Sequence, residues 1–367
     1  MRASPSRLIG VAFLATLLLV SCSGGATPGW TAPPGQAGGA AIAGGAATAG
    51  GAATAVPATG APGPGSRSST SAPASIGPAT SCDTSNLPGW PTPGQVTTTG
   101  QIPVIATSQL TVGRSRFLFT VTDEQNRPIA APDLRADLAI YDLCADPAAP
   151  TMTLTAPFTW GIEGLRGYYV AYPTFGHAGT WGAAIVFTQA DGSKGGGKLQ
   201  FSVRETGTTP AIGAPAPSVR TPTLADVGGE VRRISTDTSP NPDFYRTSVD
   251  AALAAGEPFV LVFATPAFCT SSQCGPTLQL IKDVAAEGPR ITIINVEPYQ
   301  VTFDGTRLRL VLDANGNIQP VPAFEAYGLP TEPWVFVVDG RGRVVGSFEA
   351  VASRDELTAA IATALGQ

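Results

Sequence analysis

Covalent chemistry in this sequence is concentrated in its thiols. The chain has five cysteines, Cys22, Cys82, Cys144, Cys269 and Cys274, and one histidine, His177. Cys22 ends an apolar N-terminal run and stands apart from the other four. Four cysteines then remain, an even number that suits disulfide pairing in an oxidising compartment. Cys269 and Cys274 are five residues apart, which leaves Cys82 with Cys144. By loop-closure entropy the long bridge would stabilise by about 4 kcal/mol and the short one by about 2. The long bridge therefore reads as a staple, and the short one as a pair that loses less when opened. Cys274-Gly275-Pro276 begins a helical pattern, with Pro276 suited to its first turn. A thiolate there faces unpaired amides and the positive end of the helix, which favours its formation. Either Cys269 or Cys274 can be the attacking thiol, and the helix position favours Cys274. No metal or cofactor is assigned, and His177 reads as a turn or structural residue.

Two kinds of pattern frame these residues. From 95 to 205 the stretches Arg116–Thr122, Asp137–Tyr141, Gly167–Tyr172, Trp181–Thr188 and Lys198–Val203 alternate β-branched and aromatic residues with others. Asn126-Arg127-Pro128, Gly179 and Asp191-Gly192 separate them as turns. Regularly spaced strands of this kind predict an all-β sandwich. His177-Ala178-Gly179-Thr180-Trp181 resembles the aromatic corner of immunoglobulin-like domains, with Trp181 in the place of the usual tyrosine. Residues 206–223 read as a Pro-rich linker. From 224 to 367 the pattern is α/β: strands over Pro258–Ala264 and Ile291–Val296, a helix over Gly275–Glu287, and a hairpin of Trp334–Asp339 with Arg343–Phe348. A last helix begins at Ser353, with Glu356 as its capping-box partner, and runs to about Leu365. Strands alternating with helices predict a sheet covered by helices.

Phe263-Ala264-Thr265-Pro266-Ala267-Phe268-Cys269 followed by Cys274-Gly275-Pro276 resembles the active-site turn of thioredoxin-like proteins, in particular the extracytoplasmic TlpA group. Tyr327-Gly328-Leu329-Pro330-Thr331-Glu332-Pro333, continuing into Trp334–Asp339, resembles that group's cis-proline segment and the hairpin after it. The two motifs cover roughly residue 210 to the end, in the family's order. The resemblance implies a thioredoxin-like domain in which Cys269 and Cys274 exchange disulfides, and Pro333 and Glu332 dock a partner's thiol. The chain also departs from that pattern. Four residues separate its cysteines where the family has two, Phe268 replaces a tryptophan, and Pro258–Ala264 contains no carboxylate to accept a proton. The charge of Glu332 would raise the pKa of a nearby thiol. A peroxiredoxin would need threonine and arginine around Cys274, and a copper carrier of the Sco kind would need a histidine beside the pair. Neither is evident.

At the N-terminus, Arg2 and Arg7 precede an apolar run from Leu8 to Val20, the layout of an export signal and too short to span a bilayer. Leu19-Val20-Ser21-Cys22 resembles the bacterial lipobox, which implies a signal over residues 1–21 and a lipid on Cys22. Residues 22–94 are then expected to be a low-complexity stalk, because Gly, Ala, Pro, Thr and Ser bury too little apolar surface to offset chain entropy. Its most biased part, the fifty-seven residues from Ser23 to about Ala79, would hold the folded domains roughly 40 Å from the membrane on average. A net charge of −5 with three lysines excludes a basic face for nucleic acid. The expectation is a lipid-anchored protein on the extracytoplasmic face of the cell membrane. Its function would be thiol–disulfide exchange with an unidentified thiol or disulfide protein. The alternative is a non-catalytic binding or adhesion lipoprotein, with the sandwich as its working part and a structural bridge at Cys269–Cys274.

Overall fold

The computed structural model describes residues 82–367, so the signal segment, Cys22 and the stalk up to residue 81 lie outside the described residues. The described chain is β-rich. Among its residues no helix is long and apolar enough to cross a membrane.

Two sheets face each other across the first core. One has the order β1 (Val96–Thr98), β12 (Lys194–Arg204), β11 (Gly179–Thr188), β6 (Arg135–Asp142) and β7 (Met152–Ala156), with β3 (Leu110–Thr111) running parallel to β12. The other has the order β2 (Ile102–Ile105), β5 (Phe117–Thr122), β9 (Arg166–Ala171) and β8 (Phe158–Ile162). β4 (Gly113–Arg114) pairs with β10 (Thr174–Phe175) beside them. The period-2 pattern of β6 explains its placement: Ala136, Leu138 and Ile140 point into the core between exposed or half-buried neighbours. Phe119, Tyr169 and Phe187 meet in that core, and burying each is worth about 2 kcal/mol.

β5 and β9 are buried on both faces, which their continuous apolar runs reflect. Phe117, Phe119 and Val121 face the sandwich core, while Leu118, Tyr168 and Val170 pack on Val351 of the following α/β part. Gly179, expected as a turn, begins β11. Trp181, two residues on, donates its indole N–H to the carbonyl of His177 at 3.3 Å, a bond back to the preceding backbone.

The α/β part is a four-stranded mixed sheet in the order β14 (Thr292–Val296), β13 (Phe259–Phe263), β17 (Trp334–Val338) and β18 (Val344–Glu349). β13 and β14 are parallel, and β17 is antiparallel to both β13 and β18. α2 (Cys274–Glu287) and α4 (Arg354–Ala364) cover one face over Val260, Val262, Val335 and Val337. α1 (Val249–Ala255) and α3 (Pro322–Ala326) cover the other over Phe259, Leu261, Phe263 and Phe336. A side hairpin, β15 (Val301–Phe303) with β16 (Leu308–Leu310), completes it. The α4 capping box is formed as its sequence predicts, with Ser353 and Glu356 exchanging side-chain and backbone bonds.

Two expected boundaries move. Residues 82–94 are packed and not stalk: Trp90 is buried, its indole N–H reaches the carbonyl of Pro147 at 2.9 Å, and the Gln200 amide donates to the carbonyls of Thr84 and Pro91. The 206–223 segment is not a free linker. Gly213 and Ala216 donate their amides to Val344 and Gly342, Val344 donates to Ala214, and Thr221 is fully buried. In both places a few long-range bonds fix backbone that composition alone reads as unstructured.

Candidate functional site

The site forms where β13 hands over to α2. After Phe263 the chain turns at Thr265–Phe268, and Cys269 emerges partly exposed. Residues 270–273 double back through Ser272, whose φ of 63° is left-handed. α2 then opens at Cys274. Its N-cap, Gln273, offers no side-chain cap and its first turn holds no acid. An early amide is therefore free for the sulfur, and Cys274 N–H donates to Cys269 Sγ at 3.2 Å. Cys269 and Cys274 are bonded to each other with Cα atoms 6.0 Å apart. Cys274 is fully buried and Cys269 is not. Helix position in the sequence favours Cys274 as the attacking thiol, whereas the more exposed sulfur, and the one that accepts an amide, is Cys269.

Glu332 closes the site from the segment before β17. Its carboxylate is buried, with an oxygen within 4.8 Å of both sulfurs. Oε1 accepts from the amide and hydroxyl of Thr270 at 2.9 and 2.8 Å, and Oε2 accepts from the Tyr299 hydroxyl. The Glu332 carbonyl accepts from Ser271 Oγ at 3.2 Å. Glu332–Pro333 is a cis peptide, and the buried Pro333 accepts the Ala350 amide at its carbonyl. Burial first, and then the neighbouring Glu332 charge, push the Tyr299 phenol above its ordinary pKa.

The sandwich reaches the same loop. Arg166 Nη1 donates to the Ser271 carbonyl at 3.1 Å. Gly161 lies so close that a Cβ there would stand 2.7 Å from Gln273 Oε1, so the position admits only glycine without displacement. The Gln273 carboxamide is buried, and among the described residues neither end has a partner.

Thr270, Tyr299 and Arg166 are site residues that sequence reasoning did not single out, since their roles depend on contacts 62, 33 and 105 positions away in the chain. A further buried carboxylate, Glu297, follows β14. Thr236 donates both its amide and its hydroxyl to Oε1, and Oε2 has no partner among the described residues. Burial pushes its pKa up to about 7. An acidic residue closing an apolar strand was its only sequence signal.

Cys82 and Cys144 are bonded, with Cα atoms 5.6 Å apart, joining the N-terminal segment to the end of β6. His177 lies in the sandwich, its ring held by Asp142 Oδ2 at 2.6 Å and the Ala178 carbonyl at 2.9 Å.

No protein-family profile and no curated protein matches the chain. Among solved structures, the soluble domain of PmoD from Methylocystis sp. ATCC 49242 (Rockwell) is 19% identical. The match covers 26% of this chain and 75% of that one, with a TM-score of 0.19. That likeness carries no argument about fold or function.

Proposed function

We propose that this chain is a lipid-anchored thiol–disulfide exchange protein with a thioredoxin-like C-terminal domain and an immunoglobulin-like sandwich. Cys269 is its attacking sulfur and Cys274 its resolving one. The observation that supports this is the asymmetry of the pair: a partly exposed sulfur accepting the first amide of a 14-residue helix, backed by a fully buried one. The helix end favours a thiolate on Cys269, and exchange proceeds through the thiolate.

With the pair reduced, Cys269 S⁻ attacks one sulfur of a partner disulfide. A mixed disulfide forms and the other partner sulfur leaves as thiolate. The Cys274 thiol passes its proton to the Glu332 carboxylate, attacks Cys269 Sγ, and expels the second partner sulfur. The Cys269–Cys274 bond closes, and the partner has gained two electrons. The same steps run backwards when the partner is the dithiol. Pro333 and the backbone beside Glu332 border the pair as the docking edge. Glu332 thus supplies the proton acceptor that β13 lacks.

The test is covalent capture. Incubated with glutathione disulfide, Cys274→Ser should accumulate a mixed disulfide on Cys269, read by mass, and Cys269→Ser should accumulate none on Cys274. Capture by neither variant, together with a reduction potential below about −300 mV, would make the bond a structural one. The chain would then be read as a binding or adhesion module.

A further inference from the structure

Four residues separate Cys269 from Cys274, where the thioredoxin-like pattern that the pair resembles has two. Paired cysteines that chelate zinc stand two to four residues apart. A third donor is already in place: an oxygen of the buried Glu332 carboxylate and the two sulfurs all lie within 4.8 Å of one another. Donor atoms around one tetrahedral zinc stand about 3.5 Å apart, given bonds of about 2.3 Å to sulfur and 2.0–2.2 Å to oxygen. Opening the disulfide lets the sulfurs separate to that spacing, and the carboxylate oxygen needs to approach by no more than about 1.3 Å.

We propose that the reduced Cys269–Cys274 pair and Glu332 form a binding site for a thiophilic divalent cation, zinc being the fitting one. The site rests on the pair being reducible, as exchange also requires. Its outer shell is built. Thr270 and Tyr299 hold the Glu332 carboxylate in orientation, as ligand-supporting groups do at metal sites. The Cys274 amide and the α2 N-terminus offset part of the charge of two thiolates and a carboxylate. Three protein donors leave one position of a tetrahedral ion for water or another ligand, and Cys269 is partly exposed. The balance is simple. A dithiol partner supplies two electrons and two protons to the disulfide and itself becomes a disulfide. Zinc then displaces both thiol protons, two Zn–S bonds form, and nothing further is oxidised or reduced. Metal binding and the disulfide exclude each other, so zinc would hold the chain in its reduced form.

The experiment uses the full chain in detergent, reduced with a phosphine, with zinc titrated against a chromophoric chelator. Reduced protein should take one equivalent. The oxidised protein and Cys269→Ser should lose that binding, and Glu332→Gln should bind about tenfold or more weakly. Zinc should also shield Cys269 and Cys274 from alkylation, read by mass mapping, which separates a lost ligand from a misfolded variant. Equal affinity in Glu332→Gln, or no shielding in the parent, would overturn the proposal. Glutathione capture by Cys274→Ser is scored without zinc, so failure of the metal site and failure of exchange are distinguishable.

Discussion

Glu297 and Glu332 are both buried, yet their surroundings differ. Glu332 has hydrogen-bond donors on both oxygens, whereas Glu297 has donors on Oε1 only. Burial raises Glu297 from its ordinary 4.5 to about 7. The native state therefore keeps a proton that the unfolded chain has already lost between those values. This contribution to stability is full below 4.5 and falls away as the pH rises to about 7, by about 3 kcal/mol. Glu297→Gln should match the parent in acid and exceed it at pH 8, as compared by urea denaturation at both pH values. A constant difference across that range would remove Glu297 as the source of the pH dependence.

Between elements, the decisive group is the guanidinium of Arg116, just before β5. It meets Glu356 of α4 with two parallel bonds of 2.8 and 2.9 Å and donates to the Val351 carbonyl at 2.7 Å. Tyr172 from the end of β9 donates to the same carboxylate. Burial opposes ionisation of Glu356, and Arg116 more than offsets it, holding that carboxyl below its usual range. Its contribution is present above the unfolded value and lost as the pH falls through the folded one. Removing one partner leaves a buried charge alone, so Arg116→Ala should cost about 3–5 kcal/mol. The double change Arg116→Met with Glu356→Met should recover much of that, because a packed apolar pair needs no desolvation. Thermal denaturation checks both, and a double variant no more stable than Arg116→Ala would show that the ion pair itself is required.

Across the whole molecule, two covalent ties should act through different routes. Cys82→Ser with Cys144→Ser should lower stability by about 4 kcal/mol, the loop-closure value, while leaving glutathione capture at Cys269 unchanged. Lost capture in a folded variant would place that bridge in the redox path. Cys22→Ser should release the protein from membranes or block its processing, read by fractionation, and unchanged membrane association would refute the lipid anchor. The sandwich touches the loop between Cys269 and Cys274 through Arg166 and Gly161.

The sequence by itself determined the elements whose signals are local. The alternation of β6, the capping box of α4, the apolar run of β13, and the cysteine–glycine–proline start of α2 depend only on residues a few positions apart. β15, β16 and α3 escaped because elements of three to five residues are too short to show a period. The packing of 82–94 and 206–223 escaped because it consists of single bonds to distant strands. The site divides in the same way. The Cys269–Cys274 pair and the Glu332–Pro333 segment were legible as motifs. Which sulfur is exposed, and which side chains from elsewhere in the chain touch the loop, were decided only by the tertiary structure. The physical reason is that burial and hydrogen bonding depend on neighbours that folding brings from elsewhere in the chain, and no local pattern records them.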